Sequence, residues 1–326
     1  MEVSELPASV ARGPAGLRRA VSVALALGAA FGWATYYLFV LWVTPGTAAV
    51  AVLFYPFAAG GIVFTLWAVA DGHVRAAGAA WRSPAAYVRV LLMVTMQLSV
   101  LAATYLAGPV DSSMLSLIGD VVATPLFAIA LGFATRSTLA RPLFAAGLLL
   151  SLGGGVLTIV GGQRLATVSG LGWIAVSAAP VAVGLYFLLA ARAGESIPIG
   201  AVVGQATLAA ALVILCLSPV LPGGVEGLLR VGARPLVLLA INGLVSFFLA
   251  PLAYFRAMAR EGYVVPPMLM TAIPAFTLLL SAAVLRLPIA LLAIAGIPVA
   301  IVGGVLILRA GSTTTSATTP AAGGTE

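Results

Sequence analysis

About ten apolar runs of roughly 18 or more residues follow one another along this chain, and that succession decides what it can fold into. A helix rising about 1.5 Å per residue crosses a hydrocarbon core of about 30 Å in about 20 residues. Lipid offers no hydrogen bonds to an open backbone, so the runs must be helices. They fall at 21–43, 47–70, 88–108, 113–134, 142–160, 169–190, 198–218, 235–257, 264–285 and 288–308. The expected fold class is an all-α integral membrane protein with about ten transmembrane helices. Hydrophobic residues make up 62% of the chain and charged ones 8%, against roughly 25% charged in an ordinary soluble domain. The first run follows Arg18 and Arg19 as a signal peptide would, but it is too long for such a core and is expected to stay as a helix.

The formal charge of +7 does not point to nucleic acid. All sixteen basic residues are arginines, and they sit mainly in the connections between spans. With the N-terminus inside, the inner segments hold Arg12, Arg18, Arg19, Arg75, Arg82, Arg89, Arg136, Arg141, Arg192, Arg256, Arg260 and Arg309; the outer ones hold Arg164, Arg230, Arg234 and Arg286. That bias satisfies the positive-inside rule only for an even number of spans, so both termini are expected in the cytoplasm and the protein in the plasma membrane. Residues 1–19 read as a cytoplasmic segment, and 311–326, small, polar and aperiodic, as a disordered cytoplasmic tail.

Sliding the chain against itself by 149 residues superposes Tyr105 on Tyr254, Pro125 on Pro274, Phe127 on Phe276 and Gly147 on Gly296. The same shift carries Gly154, Gly155, Val156 and Leu157 onto Gly303, Gly304, Val305 and Leu306. It moves the third, fourth and fifth spans onto the eighth, ninth and tenth. Five is odd, so equivalent helices cross the membrane in opposite directions. Two inverted five-helix repeats are expected, at 20–160 and 161–310, an arrangement that suits alternating access to one central site.

The residues that carry the repeat also carry a resemblance. AATY at 102–105, PLFAIALGF at 125–133, GLLLSLGGGVL at 147–157, AYFRAMAREG at 253–262 and GIPVAIVGGVL at 296–306 resemble the ten-helix EamA-type branch of the drug/metabolite transporter superfamily. The resemblance implies a pair of EamA-like repeats, a central cavity and export of metabolites, amino acids or toxic compounds. That branch usually carries a Gly-Glu type pair just after the proline-bearing helix of each half. Here those stretches read GFATRS (132–137) and AVLRLP (283–288), with no Glu.

Asp120, in LSLIGDVVATP, is the only acid well inside a span, roughly 10 Å from the outer end of the fourth. A carboxylate there costs about 2.5–3.5 kcal/mol, so it should face a cavity or a partner; a substrate amine, a proton or a structural hydrogen bond would each serve. The acid favours cationic or zwitterionic substrates. Pro125 and Pro274 each remove a helical donor, freeing the carbonyls of Val121 and Met270 beside the expected central site. Gln97, Gln205 and Asn242 offer intramembrane amides for a polar substrate or for interhelical bonds. Trp33, Tyr36 and Tyr37, with Tyr105, Tyr186 and Tyr254, are candidate cavity-lining rings or packing residues. Cys216, the only cysteine, reads as a small buried residue.

No catalytic residues, metal ligands or cofactor are expected: the single His73 lies in a connection, and no Gly-x-Ser-x-Gly, HExxH or nucleotide-binding phosphate loop is present. The expected function is a secondary transporter, an exporter of a small polar or amphipathic metabolite, amino acid or drug-like compound, with the proton as candidate coupling ion. A channel or facilitator for cations or small solutes is the alternative. Partners are a small-molecule substrate and the bilayer, with a homodimer as one candidate assembly.

Overall fold

The structure is a computed structural model that describes residues 15–43, 45–107, 109–118, 123–132, 141–162, 170–261, 265–286 and 291–312. All regular structure among them is helical. In chain order the elements are α1 (Ala15–Val43), α2 (Ala49–Ala70), α3 (Val74–Arg82), α4 (Pro84–Ala107), α5 (Pro109–Ile118), α6 (Thr124–Ala130), α7 (Pro142–Gly162) and α8 (Gly170–Ala193). They continue with α9 (Ile199–Leu217), α10 (Gly224–Leu229), α11 (Ala233–Asn242), a π-helical segment (Gly243–Leu249), α12 (Ala250–Glu261), α13 (Val265–Leu269), α14 (Ala272–Leu285) and α15 (Leu291–Ser312).

Among the described residues six helices are long and apolar enough to cross a membrane, and three shorter apolar ones lie at Pro142–Thr158, Ser177–Ala193 and Leu291–Leu306. Together they coincide with every expected span except the fourth. There α5 ends at Ile118 and α6 begins at Thr124, and Asp120 lies outside the described residues. The tail at 313–326 and the segment before Ala15 lie outside them too.

The inverted repeat is written into the packing of α7 on α15. A Cβ on Gly154 would meet the Gly296 carbonyl and the Ala300 amide; a Cβ on Gly303 would meet the Gly147 carbonyl and the Ser151 amide. The 149-residue shift turns each set of contacts into the other. Thr158 faces Gly296, Gly154 faces Ala300 and Ser151 faces Gly303, so one helix climbs as the other descends. With no lipid-excluding hydrophobic drive inside a bilayer, such close backbone contact supplies the cohesion, and Ser151 Oγ adds a bond to the Ala300 carbonyl at 3.2 Å. The rest of the bundle follows the same symmetry. α1 packs on α12 and α14, its counterpart α8 packs on α4, α5 and α6, and α2 pairs with α9.

Two spans depart from simple helices. In the ninth, α13 gives way to a turn at Met270 and Thr271 before α14. The carbonyl of Met270, expected to be freed by Pro274, instead accepts the Ile273 amide at 2.9 Å, while the Met270 amide reaches Pro267 O and the Thr271 amide reaches Met268 O. The chain tightens to three-residue bonds ahead of the proline and so avoids an orphan carbonyl. In the eighth span, Pro251 follows the π segment. The Ala250 amide there donates to Val245 O, five residues back.

Two expectations are corrected outright. Cys216 is exposed on α9 rather than buried, which costs nothing where the surrounding solvent is hydrocarbon. Arg89, counted among the inner connections, lies within α4 and is 1% exposed.

Candidate functional site

In the bundle α1, α4, α5, α8, the π segment and α14 line a cavity of about 60 Å³, room for several waters. Its walls are mostly apolar or aromatic, from Trp33, Tyr36, Met96, Val183, Phe187, Phe247 and Ile273 among others; Gln97, Ser116, Tyr37 and Ser246 supply polar atoms.

Helical spacing explains which side chains arrive. On α4, Met96, Gln97 and Val100 fall at i, i+1 and i+4 and share one face. On α1, Trp33, Tyr36 and Tyr37 do the same at i, i+3 and i+4. On α8, Val183 and Phe187 are one turn apart.

Trp33 is held by a chain of backbone logic. In the five-residue register of the π segment, the amide that would serve the Ser246 carbonyl belongs to Pro251, which has none. Trp33 Nε1 supplies the missing donor at 3.0 Å. The same serine links α1 to the eighth span through its side chain, with Ser246 Oγ 2.9 Å from the Gly32 carbonyl and 2.8 Å from the Asn242 amide. One hydroxyl has one proton to give. It is shared between two acceptors, the Gly32 carbonyl and Asn242 Oδ1, while Asn242 Nδ2 is buried with no partner among the described residues. Asn242 is fully buried and acts through Ser246, one turn from the cavity.

On the other side of the cavity Tyr37 Oη donates to Ser116 Oγ at 2.9 Å, and Ser116 donates to the Ser112 carbonyl at 3.2 Å. Thr104 Oγ1 lies 3.0 Å from Ser112 Oγ, which reaches the Val100 carbonyl at 3.1 Å. These hydroxyls tie α1, α5 and α4 together at the cavity's rim.

Two lining groups are left over. The Tyr36 hydroxyl and Gln97 Oε1 are buried with no hydrogen-bond partner among the described residues. Most buried polar atoms in proteins are satisfied, and one that is not costs about 1–3 kcal/mol. Both belong to side chains that line the cavity, so a polar guest could complete them.

Next to the cavity on the side of the arginine-rich end lies a layer of rings. Trp33 meets Phe187 and Tyr254, each at 5.2 Å, Phe187 meets Tyr254 at 4.8 Å and Phe255 at 5.8 Å, and Tyr186 meets Phe187 at 5.2 Å. Edge-on and tilted pairs of this kind add about 0.5–1.5 kcal/mol each beyond burial. Tyr254 thus belongs to the layer rather than to the cavity wall.

The remaining expected residues scatter. Gln205 is buried on α9 with Oε1 unpartnered among the described residues, away from the cavity lining. Tyr105 is 39% exposed near the end of α4 and does not line it. Pro274 is buried at the start of α14, one residue after the lining Ile273. Pro125 stands in the first turn of α6. The reading missed Ser116, Ser246, Met96, Val183, Phe187 and Phe247. Only Ser246 left a local signal, four residues after Asn242 on the same helical face.

Comparison with known proteins bears on the second half by family and on most of the chain by fold. The model of the EamA-like transporter family matches residues 170–309. By that match residues 170–309, under half of the chain, are similar to an EamA-like transporter. With the apolar helices, the match makes this a multi-pass membrane protein, and the α7–α15 symmetry ties its first half to the matched second half. Among solved structures, a crystal structure at 20% identity has a TM-score of 0.69, covering 90% of this chain and 98% of that one, a likeness of fold. No curated protein matches in sequence. Among the described residues no group of three or more His, Cys, Asp or Glu could hold a metal ion.

Proposed function

We propose that this EamA-type protein is a secondary transporter that exports a small polar or amphipathic metabolite, amino acid or drug-like compound by alternating access. The observation that carries the reading is the cavity between inverted halves, with apolar walls and two unsatisfied polar groups, Tyr36 Oη and Gln97 Oε1. Apolar walls suit a hydrocarbon part of the solute; the two groups suit a polar end. Gln97, Tyr36 and Trp33 bind, Asn242 positions Ser246, and Tyr254 belongs to the ring layer that parts for passage. Asp120 serves as the proton or amine site. The 149-residue shift places it on Leu269, directly before the turn of the ninth span.

The arginine bias supports cytoplasmic termini in the plasma membrane. Domain limits at 20–160 and 161–310, and a homodimer, belong to the same reading.

The test is growth and intracellular accumulation in cells expressing wild type or Asp120→Asn, challenged with amino acids, their toxic analogues and lipophilic cations. Protection by wild type that Asp120→Asn loses at equal membrane abundance supports export with Asp120 as the coupling or amine site. Equal protection by both makes Asp120 structural. Flux that does not saturate with concentration favours the channel, and no protection with any compound removes the exporter.

A further inference from the structure

Arg89 is the buried charge that the site described so far does not use. It sits on α4 on the face that carries Met93, Met96, Gln97 and Val100, eight residues before Gln97 and so about 12 Å nearer the arginine-rich end. It is 1% exposed, yet Nε and Nη2 have no hydrogen-bond partner among the described residues. The acids described at that end, Asp71, Glu195 and Glu261, are none of them buried, and no ion pair with it is formed among the described residues. Its electrostatic neighbour is Tyr186, 1% exposed, whose hydroxyl is likewise buried without a partner. Tyr186 packs on Phe187, and Phe187 lines the cavity. A chain of neighbours therefore leads from Phe187 in the cavity wall through the Tyr186 ring to the Arg89 guanidinium.

Nε and Nη2 are the two nitrogens of the guanidinium whose N–H bonds lie parallel on one side. That side-on fork matches the two oxygens of a carboxylate in one plane. A single positive charge with one additional hydroxyl donor fits a monoanion. We propose that Arg89, with Tyr186, holds the carboxylate of the transported solute in the conformation that opens towards the arginine-rich end. This rests on the transport reading above and narrows its substrate class to carboxylates with a small apolar body.

The test uses the full-length purified protein in neutral detergent, reads Tm, and takes 4-methylpentanoate, 4-methylpentanamide, inorganic phosphate and phosphatidylglycerol as probes. Millimolar carboxylate should raise the wild-type Tm by about 2 °C or more, and the amide should not, since only a ligand of the folded state shifts it. Arg89→Gln and Arg89→Lys should lose the gain, because neither offers a charged fork, and Tyr186→Phe should at least halve it. Without probe, Arg89→Met should melt no lower than wild type, because the fork abandons no internal acid.

Absence of a gain, equal gains from acid and amide, an equal gain from phosphate or phosphatidylglycerol, or a lower Tm for Arg89→Met overturns the assignment. Flux into proteoliposomes separates the two claims. Saturable flux with no preference for carboxylates removes Arg89 from the site and leaves transport standing. An Arg89-dependent gain in Tm with no flux of any solute supports the carboxylate site and removes transport.

Discussion

The α7–α15 seam and the central cavity are both crossings between inverted halves, but they are finished in opposite ways. At the seam, glycines bring backbone against backbone, and Ser151 and Thr158 spend their hydroxyls on the Ala300 and Gly154 carbonyls. In the cavity, large rings hold the helices apart, and Tyr36 and Gln97 keep polar atoms unsatisfied. The seam is optimised for stability and the cavity is not, and unsatisfied polar atoms on side chains that line a hollow mark where a guest belongs.

The sharpest way to break that contrast is at the seam. Gly154→Val would drive two methyls into the Gly296 and Ala300 backbone, costing about 3 kcal/mol or more, and should abolish folded protein in the membrane. Gly153→Ala meets nothing within 4 Å and should leave stability within about 0.5 kcal/mol of wild type. Gel-filtration yield and Tm read both; a tolerated Gly154→Val would mean that the seam is not the scaffold.

In the cavity the signs should reverse. Gln97→Leu removes an orphan polar atom, so Tm should hold or rise, while flux falls by about tenfold, the worth of about 1.4 kcal/mol of lost binding. A drop in Tm with unchanged flux would return Gln97 to packing.

A smaller effect tests how Trp33 is held. Trp33→Phe loses the bond to Ser246 O and should cost about 1 kcal/mol. Pro251→Ala restores a backbone amide for that carbonyl, so the double variant should recover most of the loss in a thermal-melt cycle. Additive losses would show that the indole does not replace the proline's missing donor. Smallest of all, Tyr105→Phe, at a half-exposed position outside the cavity, should keep flux within about twofold.

Spans and repeat were legible because lipid forces long apolar runs and because Gly, Pro and Tyr coincide at one offset. The breaks were legible only as prolines. Pro251 and Pro274 signal that a donor is missing, but not whether the chain answers by widening to a π segment or tightening to a turn. Trp33, Tyr36 and Gln97 stood out by chemistry. Ser116, Phe187 and Phe247 did not, because in a chain this rich in hydroxyls and rings only the crossing of distant helices decides which ones face the hollow. Arg89 was hidden by its nearness to the arginine-rich connections, where a basic residue is expected to be solvated.

Alternating access requires that the cavity open to each side of the membrane in turn. Cys216 is the only cysteine and faces outward, so Cys216→Ser supplies a thiol-free background in which Val100→Cys places one thiol in the cavity wall. Labelling with a membrane-impermeant maleimide, applied to right-side-out and to inverted vesicles, reads access from each face. Alternating access predicts modification from both faces, slowed by a transported solute; modification from one face alone, unaffected by any solute, would contradict it.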